Sequence, residues 1–216
     1  APKSPAEITI RAFFIAGGEW MSASQTFDAV TGSSHVMTLG GGADVVFKRR
    51  PFLRLSLEHA STTGMRGESA PDGTFVPNGI SEQVTMMPLE IGGGWRFASV
   101  PKKGPKTSAA PGRAPSKGQR PQIVTPYLGV AIVLLHYREY ASVLDIENTS
   151  ETFPGFAGFG GVDVRVAPAI TLGVEGEYRT VSNAIGQAAS SVGKSVGETN
   201  LGGLTVRVMF GVRLGR

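Results

Sequence analysis

Chemistry in this chain would have to come from carboxylates, arginines and three histidines, because cysteine is absent. Without cysteine there is neither a disulfide framework nor a thiolate metal site. Glu175 and Glu177 stand two apart, a spacing that puts both carboxylates on one face of a strand and could serve acid–base work. His35, His59 and His136 are the only imidazoles. Ser56 and Ser61 lie near His59, so a serine–histidine pair could form, but no acidic residue that would orient the imidazole can be identified. No metal-ligand spacing, phosphate-binding loop or nucleophile elbow occurs. The glycine runs GGGAD at 40–44 and IGGGW at 91–95 lie inside strand-like segments, and no helix follows either. The expectation is therefore a chain with no catalytic residue, no cofactor and no resident metal.

The larger set of charges obeys an alternation that the backbone must impose. Arg11, Asp44, Lys48, Arg54, Glu58, Glu90 and Arg96 are interleaved with apolar or glycine neighbours. So are Asp163, Arg165, Glu175, Glu177, Arg179 and Arg207. In LRLSLEH, Leu53, Leu55 and Leu57 face one way, and Arg54, Ser56 and Glu58 the other. In LTVRVMFGVRL, Leu204, Val206, Val208, Phe210, Val212 and Leu214 oppose a row that holds Arg207 and Arg213. A period of two is the mark of a strand with unlike faces. Eight such strands are expected, at about 7–19, 35–48, 52–60, 83–98, 125–140, 156–166, 169–180 and 204–214. The fifth is apolar on both faces; Leu128, Val130, Ile132 and Leu134 are assigned outward, Gly129 and Ala131 inward.

Strands that each join a lipid-like face to a charged face predict an all-β chain, an antiparallel transmembrane barrel with its charges inside. Mean hydropathy near zero fits, because lumen residues dilute the apolar face. No run of 18 apolar residues occurs, so no transmembrane helix is expected. An eight-stranded barrel leaves room inside for side chains only. The inward charges are then expected to pair as a plug, since an unpaired buried charge is costly. The alternative is a narrow conducting path.

Connection lengths alternate. Residues 49–51 and 167–168 are short links, while 20–34, 61–82, 141–155 and 181–200 read as long, polar, slightly acidic loops. Short turns on one side and long loops on the other suit an outer-membrane barrel with both termini periplasmic. One link breaks the rule. Residues 99–125 carry Lys102, Lys103, Lys106, Arg113, Lys117 and Arg120 and no acid, and are rich in Pro, Gly, Ser and Ala. The rest of the 216-residue single domain is near neutral, so the basic balance belongs to this insert. It reads as a disordered periplasmic loop, or as a contact for an anionic periplasmic partner such as inner-leaflet headgroups or a cell-wall polymer. Nucleic acid is not an expected partner. The opening APKSPAE has no basic-then-apolar leader, so a signal peptide was either removed or never present.

Pro126-Tyr127-Leu128-Gly129-Val130 resembles a strand opening common in the small outer-membrane β-barrels of Gram-negative bacteria, the group of the OmpA membrane domain, OmpX and OmpW-like proteins. The terminal GGLTVRVMFGVRLGR is similar to the signal read by their barrel-assembly machinery, but ends Leu-Gly-Arg instead of on an aromatic. The resemblance spans about residues 7–214. It implies an eight-stranded up-and-down barrel in the outer membrane, surrounded by lipid and lipopolysaccharide. It also implies a non-enzymatic structural or surface-interaction role. Alternatives are a channel or carrier for small or apolar solutes, a lipid-modifying enzyme, and a soluble lipocalin-like barrel. The last would turn the Leu and Val rows inward.

Overall fold

β-branched and aromatic residues at alternate positions favour pleated backbone, and eight segments take it up. The computed structural model describes residues 8–48, 50–69, 75–97, 124–141, 149–186 and 192–214. The strands are β1 (Ile8–Met21), β2 (His35–Phe47), β3 (Pro51–Ser69), β4 (Phe75–Arg96), β5 (Val124–Ala141), β6 (Thr149–Arg165), β7 (Ile170–Thr180) and β8 (Gly203–Leu214). Each pairs antiparallel with its sequence neighbours, and β1 closes on β8 from Ile10↔Leu214 to Met21↔Gly203. The result is a closed up-and-down barrel with no free edge along the shared wall. Among the described residues no helix is long and apolar enough to cross a membrane.

Ile8 at the start of β1, Leu214 at the end of β8 and the tight β2–β3 and β6–β7 links lie at one end of the barrel, here the near end. The β2–β3 turn is held by the Arg50 N–H donating to the Phe47 carbonyl at 3.0 Å, with Lys48 in the left-handed region at φ 47°. Residues 99–123 of the basic insert lie outside the described residues; Val124 and Thr125 open β5.

The far end departs from the expected loops. Residues 61–69 and 75–82 continue β3 and β4 as a paired hairpin, with a register shift between Met65 and Gly67. Residues 149–155 likewise open β6 against β5. Antiparallel pairing satisfies the backbone of a polar segment as well as of an amphipathic one, so strands run on where the apolar face has ended. Two helices occupy the remaining far-end links: α1 (Ser24–Thr31) and α2 (Val192–Val196).

α1 stops at Gly32 (φ 75°), whose N–H donates to the Asp28 carbonyl. Its N-cap position is Ala23, which has no capping oxygen. Glu198, from the β7–β8 link, supplies one: its carboxylate accepts from the Thr26 N–H at 2.8 Å, the Thr26 hydroxyl at 2.7 Å and the Gln25 N–H at 3.2 Å. A carboxylate there satisfies otherwise unpaired donors and complements the helix dipole. The helix lies close on β3, where any Cβ at Gly64 would strike the Thr31 backbone.

The two barrel surfaces differ as the alternation requires. Leu53, Leu55, Leu57, Val206, Val208 and Phe210 point outward, and Val130 is 70% exposed. Trp95 and Phe97 flank this belt toward the near end, and Trp20, Phe156 and Tyr178 toward the far end. Apolar outside and charged inside is the reverse of a lipocalin-like barrel and is the polarity of a transmembrane one.

Candidate functional site

The lumen is filled in layers. Nearest the termini, Arg11 bridges Asp44 and Asp163 at 2.5 Å each, and Arg96 also pairs with Asp163. Arg54 binds Asp44 at 2.9 Å and reaches Glu175 at 2.6 Å. Its guanidinium is surrounded by rings, with centroids of Phe159 at 4.5 Å, Phe13 at 5.0 Å, Phe52 at 5.5 Å and Tyr127 at 5.6 Å. Each ring lies over an inward glycine of the neighbouring strand: Phe13 over Gly42, Phe52 over Gly94, Phe159 over Gly129 and Tyr127 over Gly161. A Cβ at any of the four would strike the ring. Gly42 of GGGAD and Gly94 of IGGGW thus make space for aromatic rings.

Deeper in, Arg207 donates through Nε to Glu175 at 2.7 Å, through Nη2 to Glu177 at 2.5 Å, and through Nη1 to Glu58. Arg179 pairs with Glu177 at 2.9 Å, Glu90 at 3.0 Å and Glu19 at 3.3 Å. Ser56 donates its hydroxyl to Glu90 at 3.0 Å. Carboxylate oxygens of Glu58, Glu90 and Glu177 lie within 4.8 Å of one another, a spacing that would suit a cation. The two guanidiniums already supply positive charge there. In this whole network five arginines face seven carboxylates. Every member is buried. Such bidentate, shared pairs are the strong kind of buried ion pair.

Toward the far end the interior turns apolar. Val36, Ala60, Val84, Met86, Val133 and Leu135 fill it, and Phe27 and Val30 of α1 close it from above. This explains β5: its inner face meets apolar filling instead of charge.

Arg11, Asp44, Arg54, Glu58, Glu90, Arg96, Asp163, Glu175, Glu177, Arg179 and Arg207 are thus brought together. Two residues assigned to the lumen are not. Lys48 is exposed in the β2–β3 turn, and Arg165 is half-buried at the end of β6, outside the network. Both lie where a strand meets a turn and the inward row ends. Glu19 joins the network too, turned inward by the same parity that turns Arg11 inward. Glu82, within the expected 61–82 loop, is also buried, in the part of β4 that pairs with Gly64. The six basic side chains of the insert (Lys102, Lys103, Lys106, Arg113, Lys117 and Arg120) lie outside the described residues.

The histidines do not assemble a catalytic group. His59 faces outward while Ser56 faces inward. Ser61 accepts from Gln83 at 3.3 Å, and His136 shares a 3.1 Å hydrogen bond with Thr152. His35 packs against Trp20 with its ring tilted by 48° and 5.0 Å between centroids. Among the described residues no histidine ring is hydrogen-bonded to a serine hydroxyl or a carboxylate.

No protein-family model matches the chain, and no curated protein does. Solved structures do match over nearly the full length. The attachment invasion locus protein Ail of Yersinia pestis, solved in complex with the heparin analogue sucrose octasulfate, superposes with a TM-score of 0.50 at 11% identity, covering 98% of this chain and 100% of that one. Neisserial surface protein A gives 0.47 at 14% identity, covering 98% and 99%. The N-terminal barrel of Pseudomonas aeruginosa OprF gives 0.44 at 8% identity, covering 94% and 97%. Closed topology, outward apolar belt and the superposition on Ail agree: the chain has the fold of the small eight-stranded outer-membrane β-barrels.

Proposed function

We propose that this chain is a non-enzymatic barrel of the bacterial outer membrane whose work is structural or lies in surface interaction, and that it does not conduct. The observation that carries this reading is the continuous filling of the lumen by paired charges, aromatic rings and an apolar far-end core. Water and ions have no path through a section in which Asp44, Glu90, Glu175 and Arg207 are at most 1% exposed. Lipid and lipopolysaccharide surround the belt, and the barrel-assembly machinery inserts it. Folded protein in planar bilayers is expected to give no steady conductance. A stable nanosiemens pore from the monomer would overturn the plug and make the chain a channel.

In this reading the near end is periplasmic, and the basic insert meets an anionic partner there. Its six cations with no acid support the assignment. Binding of the folded protein to anionic vesicles or cell-wall polymer should weaken as salt rises, because exposed charges are screened beyond about 8 Å at physiological ionic strength. Deleting residues 101–121 should abolish that binding and leave membrane insertion intact. Cleavage of the insert by protease added to intact cells would invert the topology.

A further inference from the structure

The far end holds a cavity of about 240 Å³ between the β5–β6 wall and the two helices. Its floor is apolar, made by Phe27, Val30, Val84, Ile185 and Val192. Its wall carries two carboxylates, Glu139 and Glu151. The register explains their closeness. Tyr137 pairs with Glu151 and Glu139 with Thr149, so the two acids are diagonal neighbours on the inward row, above the level of the filled lumen. The Tyr137 hydroxyl donates to Glu139 at 2.7 Å, which holds that carboxylate over the floor. Among the described residues neither acid is paired with a cation.

Diagonal cross-strand neighbours are within reach of each other's long side chains, so the two carboxylates can act on one ligand. Throughout the lumen below, carboxylates are offset by arginine; here no described side chain does so. The opposite wall is held in place, because Glu198 caps α1 and its carbonyl and the Gly186 backbone lie close against Gly193 of α2, where a Cβ would be tightly crowded. A preformed apolar floor with a few polar groups at its edge is the usual form of a small-molecule site. The volume lies below the about 300–1,000 Å³ of drug-sized sites, so the ligand is small.

We infer that this cavity binds a small organic cation with an apolar body, an aryl- or alkylammonium, its charged end between Glu139 and Glu151 and its apolar end on Phe27 and Val30. An ammonium beside Glu139 and over the Tyr137 ring would gain cation–π attraction as well. The inference goes beyond the non-conducting barrel and does not need it: the cavity lies above the plug, and an open lumen would leave it intact.

The test uses the full chain, folded in non-ionic micelles with labelled methyl groups, and benzyltrimethylammonium as probe. Saturable shifts confined to the methyls of Val30, Val84, Ile185 and Val192 are expected. The Glu139→Gln/Glu151→Gln double variant keeps side-chain size and should bind about tenfold more weakly, as two partly exposed ion pairs would allow. Benzyl alcohol, neutral and of similar shape, should bind as weakly to wild type as the cation does to the variant. Equal affinity for the alcohol and the cation in wild type would overturn the charge assignment. Unchanged cation affinity in the double variant, its folding verified by heat-modifiable migration, would overturn it too. Shifts absent from these methyls, or spread over the outer belt, would overturn the site.

Discussion

Replacing Arg207 by alanine should destabilise the folded barrel by about 3–5 kcal/mol, the loss found when one partner of a buried ion pair is removed. Three nitrogens of this side chain bind three carboxylates, those of Glu175, Glu177 and Glu58, and a fourth, Glu90, lies 3.7 Å away. Alanine leaves these acids facing one another in a closed interior with only Arg179 and Arg54 to balance them. Lysine keeps the charge but cannot present a planar fork to several carboxylates, so Arg207→Lys should fall between wild type and Arg207→Ala. Adding Glu58→Gln to Arg207→Ala should recover part of the loss, because it removes an unbalanced charge; the two changes are then non-additive. Urea unfolding in lipid vesicles, followed by heat-modifiable migration, reads all four proteins. A loss below about 1 kcal/mol for Arg207→Ala would show that the network is incidental to stability, since exposed pairs are worth no more than that.

Placing arginine at Leu55 should cost about 2–4 kcal/mol, the value for a cation on the lipid face near the bilayer midplane. Leu55 lies midway along the outward belt, flanked on its strand by Leu53 and Leu57 and across the ladder by Ala43 and Ile91. Thr63 is also outward on β3, but beyond His59 and above the belt. Thr63→Arg should therefore cost only about 0–1 kcal/mol, as at the interface. The same vesicle assay applies. Equal losses at the two positions, or none at Leu55, would mean that the belt does not sit in hydrocarbon.

Particular elements show how far the chain could be read. The alternation in LRLSLEH and LTVRVMFGVRL assigns each side chain to a face, and the assignments match the burial of β3 and, as far as Gly211, of β8; Arg213, beyond it, is exposed. Strand ends were less legible. Hydrophobic alternation stops near Ala60 in β3, but the hairpin runs on to Ser69 because backbone pairing needs no apolar side chain. α1 was hidden for a related reason: its cap is Glu198, far along the chain, so Ala23 carries no local start signal. The glycine–ring stacks were equally unreadable, because Phe13 meets Gly42 only once β1 and β2 are in register.

The sequence by itself determined the number of strands, the face of nearly every residue and the polarity of the barrel. These follow from a period of two, which is a local property of pleated backbone. Only the tertiary structure decided which charges meet. Arg11 and Asp163 are 152 residues apart, and Arg207 and Glu58 149 apart. Their partnership depends on closure and on the stagger of eight ladders, where a shift in any one changes the height of every residue beyond it. The far-end cavity belongs to the same class. Glu139 and Glu151 are unremarkable acids in sequence, and become a pair over an apolar floor only when β5 and β6 align and two distant helices cover them.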